Sequence, residues 1–212
     1  MYRIVKRAFD FVSSLLLFVA ISPIFVVLTI LVRIKMGSPV LFRQTRAGKH
    51  QKKFEILKFR TMTNECDSNG ELLPDEQRKT KLGVWLRATS LDELPEILNI
   101  IKGDMSVIGP RPLQPKYNVY YTDYELSRFK VRGGLIPPES LLNNPNPSWD
   151  EQLKCEADYA NSLSLRLDCK IFLSVFKFLF HRKEEDYGDY VRENLEVERK
   201  GREYVNRQYI PE

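Results

Sequence analysis

The strongest break in the alternation of polar and apolar positions lies near the start of the chain, where no residue from Phe11 to Val32 carries a charge. At about 1.5 Å per residue, a helix of that length reaches across a hydrocarbon core. Ser22 and Pro23 stand at its middle, where proline removes a backbone donor and crowds the preceding turn, so a helix break is expected there. Arg3, Lys6 and Arg7 precede the run, and Arg33, Lys35, Arg43 and Arg46 follow it. Basic flanks on both sides favour both ends on the cytoplasmic side. A re-entrant helix that enters and leaves one leaflet satisfies both features. A spanning helix with a proline kink is the alternative, and a signal peptide is disfavoured because the run passes Pro23 without a small-residue cleavage site.

After Gly37-Ser38-Pro39 the pattern shortens. Val40 to Arg43 and Phe54 to Met62 read as two strands around the polar turn Ala47-Gly48-Lys49-His50. The period of two puts Lys58 and Arg60 on one side, offering two cations to an anion; an edge-strand lysine that blocks unwanted pairing explains Lys58 equally well. Asp75 to Arg87 predicts a helix that delivers Arg87. Leu94, Ile97, Leu98 and Ile101 then follow i, i+3, i+4, i+7 spacing, so a helix begins near Ser90 and ends at Gly103. Asp104 to Ile108 reads as extended, Gln114 to Arg132 as helical, and 133–147 as a Pro/Asn-rich loop. Ser148 with Glu151 fits a capping box opening a helix toward Ser162, and Leu165 to Phe180 reads as a core helix with an interfacial edge.

The predicted fold class is therefore α+β: a re-entrant membrane helix in 1–36, then a mainly helical cytoplasmic domain with a small β-hairpin in 37–183. A charged peripheral tail follows in 184–212.

The chain has 212 residues, a net charge of +5 and a pI near 9.0, which suits a nucleic acid, an anionic membrane or a phosphorylated substrate equally. Cys66, Cys155 and Cys169 form no C-x-x-C, and with only His50 and His181 they support neither a disulfide framework nor a usual zinc site. There is no Walker loop and no G-x-G-x-x-G.

The candidate chemistry centres on Asp92 and Glu93. A bland explanation exists: Ser90 with Glu93 fits a capping box, and acids at a helix start complement its dipole. Pro95 is tolerated only in a first turn, so the N-cap is either Ser90 or Asp92. Adjacent helical residues diverge by about 100°, so two such carboxylates divide two roles rather than aim at one atom. Further on, Pro110 and Pro112 stiffen the backbone that presents Arg111, whose guanidinium suits either bidentate phosphate binding or a structural ion pair.

Taken in order, four segments resemble the bacterial monotopic phosphoglycosyl transferases, also called bacterial sugar transferases. They are Phe42-Arg43-Gln44-Thr45-Arg46-Ala47-Gly48, Lys58-Phe59-Arg60-Thr61-Met62, Ser90 to Pro95, and Lys102-Gly103-Asp104-Met105-Ser106-Val107-Ile108-Gly109-Pro110-Arg111-Pro112. The chain is similar to the small form of that family, without the extra transmembrane domain.

The resemblance implies transfer of a sugar 1-phosphate from a UDP-sugar to undecaprenyl phosphate, releasing UMP, at the cytoplasmic face of the inner membrane. It implies Asp92 as the nucleophile that forms a covalent phosphosugar intermediate, with Glu93 assisting and both carboxylates serving a magnesium ion. Lys58, Arg87 and Arg111 become candidates for phosphate binding, Ser22 and Pro23 for the helix break, and Asp168 matches a family position that a salt bridge also explains. Membrane lipid is an expected partner, nucleic acid is not, and a homodimer is compatible.

One departure bears on donor choice: the family commonly continues after the arginine with Pro-Gly-Ile/Leu-Thr-Gly and Gln-Val, whereas Arg132 here precedes Gly133-Gly134-Leu135-Ile136-Pro137-Pro138-Glu139-Ser140. The competing reading is a membrane-anchored basic adaptor that binds anionic lipid or nucleic acid through Arg43, Arg46, Lys49, Lys52 and Lys53. It leaves Asp92 and Glu93 without a role.

Overall fold

A computed structural model describes residues 2–142, 144, 146–181 and 193–199. Helix α1 (Tyr2–Met36) is one continuous element with Pro23 inside it. Pro23 cannot donate to the Val19 carbonyl four residues back, and the Ser22 hydroxyl donates to that carbonyl instead, at 2.8 Å. The acceptor that Pro23 leaves open is thus satisfied by the Ser22 hydroxyl within the helix. Phe11, Leu15, Val19, Val26 and Ile30 are among the large apolar side chains it leaves exposed, a surface suited to lipid and unsuited to water.

Strands β1 (Leu41–Ala47) and β2 (Lys53–Phe59) form the expected hairpin, joined by a 3-10 turn at Lys49–Gln51. The helix predicted over 75–87 is two: α2 (Asp75–Arg78) and α3 (Lys81–Ala88), the second capped by Thr80, whose side chain accepts from the Gly83 amide. α4 (Glu96–Lys102) starts later than expected and ends before Gly103, whose φ of +98° is the left-handed conformation glycine permits.

β3 (Met105–Ile108) pairs in parallel with β4 (Gly133–Ile136), Ser106 opposite Gly134 and Ile108 opposite Ile136. This second sheet was not foreseen, because a parallel pair carries no turn signature. The divergent run after Arg132 supplies β4, and Gly134 is required there: a Cβ on it would lie 2.1 Å from the Gly109 amide nitrogen. Between these strands, the helix predicted over 114–132 is instead two 3-10 segments, Pro115–Tyr120 and Glu125–Lys130. α5 (Trp149–Asn161) opens on the predicted capping box, with Ser148 and Glu151 each accepting from the other's backbone amide. α6 (Leu165–His181) buries Asp168 and Ile171 while exposing Leu165, Phe172 and Leu173. Of the predicted peripheral tail, 184–192 and 200–212 lie outside the described residues. The part between includes α7 (Leu195–Glu198), where Leu195 joins the core and Arg199 is buried in a two-bond pair with Glu125, both at 2.8 Å.

The described residues divide into two compact units: Met1–Asp10 with Thr45–Phe54 and Gly103–Glu212, and Phe11–Gln44 with Glu55–Lys102. The first unit has two apolar clusters, one around Tyr121, Phe129, Trp149 and Leu153, the other around Ile108, Val131, Tyr159 and Ile171. In it Asp168 holds the start of α1: it accepts from Tyr2, from Lys6 at 2.8 Å and from Tyr159 at 2.7 Å. The structural reading of Asp168 is the one its contacts support.

In the second unit Leu28, Val32 and Met36, four residues apart on α1, pack with Phe59 and Leu86. Leu91 and Leu94 close onto the same cluster, so the segment bearing Asp92 and Glu93 is fastened to the end of α1.

Candidate active site

Asp92 and Glu93 sit on a 3-10 turn, Leu91–Glu93, rather than at the start of an α-helix. Ser90 precedes it with φ +56° and makes no side-chain cap, so the capping-box explanation fails. Pro95, lacking an N–H, separates this turn from α4. The Glu93 side chain goes to Lys58, Nζ to Oε1 at 2.5 Å, and Glu96 stands 3.3 Å from the same ammonium. Lys58 projects from β2, which is locked to α4 by Asn99: its amide donates to the Glu55 carbonyl at 2.7 Å and accepts from the Leu57 amide at 3.0 Å.

Arg87 reaches the site from the last turn of α3. Its Nε donates to Thr61 Oγ1 at 2.9 Å. The close seating of α3 depends on Gly83, where a Cβ would meet the Thr61 carbonyl oxygen at 1.8 Å.

Burial holds the Asp92 carboxyl above its ordinary value of 3.8; Lys58 and Arg87 pull it down, and Glu93 pushes it further up. The arrangement is a half-buried carboxylate with a second carboxylate and two cations in its field. Four of the five predicted site residues thus belong to one cluster in the second unit: Asp92, Glu93, Lys58 and Arg87.

Arg60 does not join them. β2 ends at Phe59, so the alternation that put Arg60 beside Lys58 stops one residue short, and Arg60 is buried. Its guanidinium donates to the carbonyls of Pro39 and Met62, at 2.9 and 3.2 Å, as a structural clamp. Conversely Glu96 and Asn99 are buried polar residues that the apolar periodicity did not single out. Glu96 and Asn99 stand three apart on one face of α4, a face made legible only by what it meets, the Lys58 ammonium and the backbone of Glu55 and Leu57.

Arg111 belongs to the first unit, its side chain on the surface and its backbone held at both polar groups. The amide donates to Glu156 Oε1 at 3.0 Å, and the carbonyl accepts from the Arg128 guanidinium at 2.6 Å. Arg128 and Glu156 form a fully buried ion pair at 2.6 Å. Nearby, burial pushes the Glu139 carboxyl up to about 8, the Glu156 charge adding to the rise while Arg111 and Arg128 oppose it.

The sign of the consequence is fixed. Between the ordinary value of 4.5 and about 8, the folded chain keeps a proton that the unfolded chain has lost, so stability falls as pH rises through that window. The slope is at most about 1.4 kcal/mol per pH unit. Urea unfolding of Glu139→Gln across the same range should lose this component of the slope.

The second unit therefore combines most of an apolar helix long enough to cross a bilayer with a carboxylate pair set among cations. The family follows from comparison: a model described as bacterial sugar transferase matches residues 1–182. The chain belongs to the bacterial sugar transferase family. It is 43% identical over 177 residues to the uncharacterized sugar transferase EpsL of Bacillus subtilis (strain 168), a match covering 83% of this chain and 88% of that protein. It is 34% identical over 189 residues to the UDP-glucose:undecaprenyl-phosphate glucose-1-phosphate transferase of Escherichia coli (strain K12), covering 82% of this chain but 40% of that one. Against the UDP-N-acetylgalactosamine-undecaprenyl-phosphate N-acetylgalactosaminephosphotransferase of Aeromonas hydrophila the identity is 33% over 185 residues, covering 83% of this chain and 43% of that protein. The last two relatives are more than twice as long as the region they share with it.

Proposed function

We propose that this enzyme transfers a sugar 1-phosphate from a UDP-sugar to undecaprenyl phosphate. The observation that carries the reading is the setting of Asp92, a half-buried carboxylate in the field of Lys58 and Arg87 on a turn packed against the end of α1. An Asp92 oxygen attacks the sugar-bearing phosphorus; the bond from that phosphorus to the UMP oxygen breaks, and UMP leaves with the electron pair. An oxygen of the lipid phosphate then attacks the same phosphorus and releases Asp92. Two of the similar proteins are named for UDP-glucose and for UDP-N-acetylgalactosamine, so the donor is assigned as a class.

Lys58 and Arg87 are the cations positioned to offset phosphate charge as it develops. Glu93 holds Lys58 in place, and Arg111 is kept as a candidate phosphate ligand within its own unit. Among the described residues, no group of three or more His, Cys, Asp or Glu side chains forms a self-contained metal site. Two adjacent carboxylates fit magnesium all the same, since that ion is commonly held by one or two carboxylates together with substrate phosphates and waters. When bound through Asp92 and Glu93, it would neutralise the diphosphate and stabilise the leaving UMP.

A polyprenyl phosphate keeps its tail in the bilayer and its headgroup at the surface. We place the site there, at the cytoplasmic face of the inner membrane, with α1 re-entrant about Ser22 and Pro23. The seating of Leu91 and Leu94 on the end of α1 supports this depth. A single cysteine introduced at residue 2 should react with an impermeant reagent only from the cytoplasmic side; reaction only from outside would make α1 a spanning helix.

The activity itself is tested with purified protein, magnesium, undecaprenyl phosphate and a panel of UDP-sugars. UMP release is expected with at least one donor, and its absence with every donor tried, in preparations that remain folded, would remove the proposal.

A further inference from the structure

Outside the acidic pair, the first unit holds a second charged concavity, lined by Arg3, Lys6, Arg7, Lys49, Lys130 and Arg132. Against these six cations the wall carries one carboxylate, Asp10. That carboxylate is occupied: Ser106 Oγ donates to it at 2.6 Å and the Val107 amide at 3.3 Å, and of the six cations Lys6 stands 3.9 Å from it. The cations come from three separate stretches of chain and are held in place. Lys6 is fixed by Asp168 at 2.8 Å, Lys130 by Asn161 at 2.8 Å, and Arg132 by the Gly103 carbonyl at 2.7 Å. Arg7 lies against the same Gly103, its guanidinium 3.0 Å from where a Cβ would stand. Gathering like charges this closely is unfavourable unless an anion comes between them.

The location indicates which anion. Arg3, Lys6, Arg7 and Asp10 are the first turns of α1, and Phe11 directly after them opens the charge-free run, so the pocket marks the level where helix meets headgroups. Leu163 is also on the wall, two residues before α6, whose Leu165, Phe172 and Leu173 are exposed. Cations beside an outward apolar face match a phosphate that carries acyl chains.

We propose that this pocket binds the phosphate of an anionic phospholipid as a resident ligand separate from the transferred substrate. The site is made from residues the transfer chemistry does not use, so the inference stands apart from that reading.

The test uses the full chain in neutral detergent and follows its thermal unfolding midpoint during titration with short-chain phosphatidylglycerol. Parallel titrations use short-chain phosphatidylcholine, inorganic phosphate and undecaprenyl phosphate. A saturable rise with phosphatidylglycerol is expected, without one for phosphatidylcholine or inorganic phosphate at the same concentrations. Lys49→Glu combined with Lys130→Glu should raise the phosphatidylglycerol concentration needed by at least about ten-fold, with the lipid-free midpoint little changed and UMP release retained. Should that double variant fail to fold, Lys49→Gln with Lys130→Gln makes the same comparison with a smaller shift. Equal phosphatidylglycerol responses from wild type and a folded variant would overturn the site. So would a response as strong to phosphatidylcholine or free phosphate, or a response to undecaprenyl phosphate alone.

Discussion

Replacing Asp92 with asparagine should reduce UMP release on the order of 10³-fold or more while leaving the protein folded and membrane-bound. An amide oxygen cannot form the acyl phosphate on which the second half of the transfer depends. The substitution keeps shape and size, and it removes a charge that the site holds at a cost, since burial raises the Asp92 carboxyl above its ordinary value. The unfolding midpoint should therefore be equal or slightly higher. Acid-quenched wild type incubated with donor alone should carry one phosphosugar adduct by intact mass, and Asp92→Asn should carry none. The raised carboxyl also sets a sign for pH: the nucleophile gains activity as it ionises, so the acid limb of kcat/KM should lie above 3.8. Full activity in Asp92→Asn would move the nucleophile elsewhere.

The same residue shows how far sequence alone reaches. The carboxylate pair was legible, and so was its ambiguity, because Ser90 and Glu93 have capping-box spacing. Structure resolves it through contacts distant in sequence: Glu93 turns to Lys58, 35 residues away, and Ser90 takes a left-handed backbone that abolishes the cap. Local signals transferred well where the physics is local. The charge-free run became α1, Gly103 ended α4, and Ser148 with Glu151 formed the predicted box.

Periodicity failed where an element ends early or bends. Arg60 left the face of Lys58 because β2 stops at Phe59, and the tyrosine-rich 114–132 became 3-10 segments crossing between two parallel strands. The glycines of the divergent run looked like a loop because glycine signals a turn or a close backbone approach with equal force. Here it is the approach, Gly134 against Gly109. Asn99 was invisible for a related reason: a polar residue on a helix face becomes informative only when the strand it ties, at Glu55 and Leu57, is known to lie against it.

Glu156→Ala should destabilise the protein by about 3–5 kcal/mol, a large part of the 5–15 kcal/mol typical of a whole domain. Glu156 is fully buried, and one side chain serves three neighbours: the Arg111 amide, Gln152 at 3.1 Å and the Arg128 guanidinium. Removing it takes away the paired countercharge of Arg128 in the interior, leaving the dipoles of the Tyr121 hydroxyl and the Arg111 carbonyl and the nearby Glu139 carboxyl, which burial pushes up to about 8. Urea unfolding of the single variant measures that cost. The double variant Glu156→Leu with Arg128→Met separates charge from positioning, since apolar replacement of a buried pair commonly restores stability. It also leaves the Arg111 backbone without either of its holding groups. If Arg111 binds phosphate and must be presented rigidly for it, the double variant regains its unfolding midpoint while its kcat/KM for the donor stays low. Recovery of both together would mean that the clamp serves the core alone and that Arg111 needs no presenting.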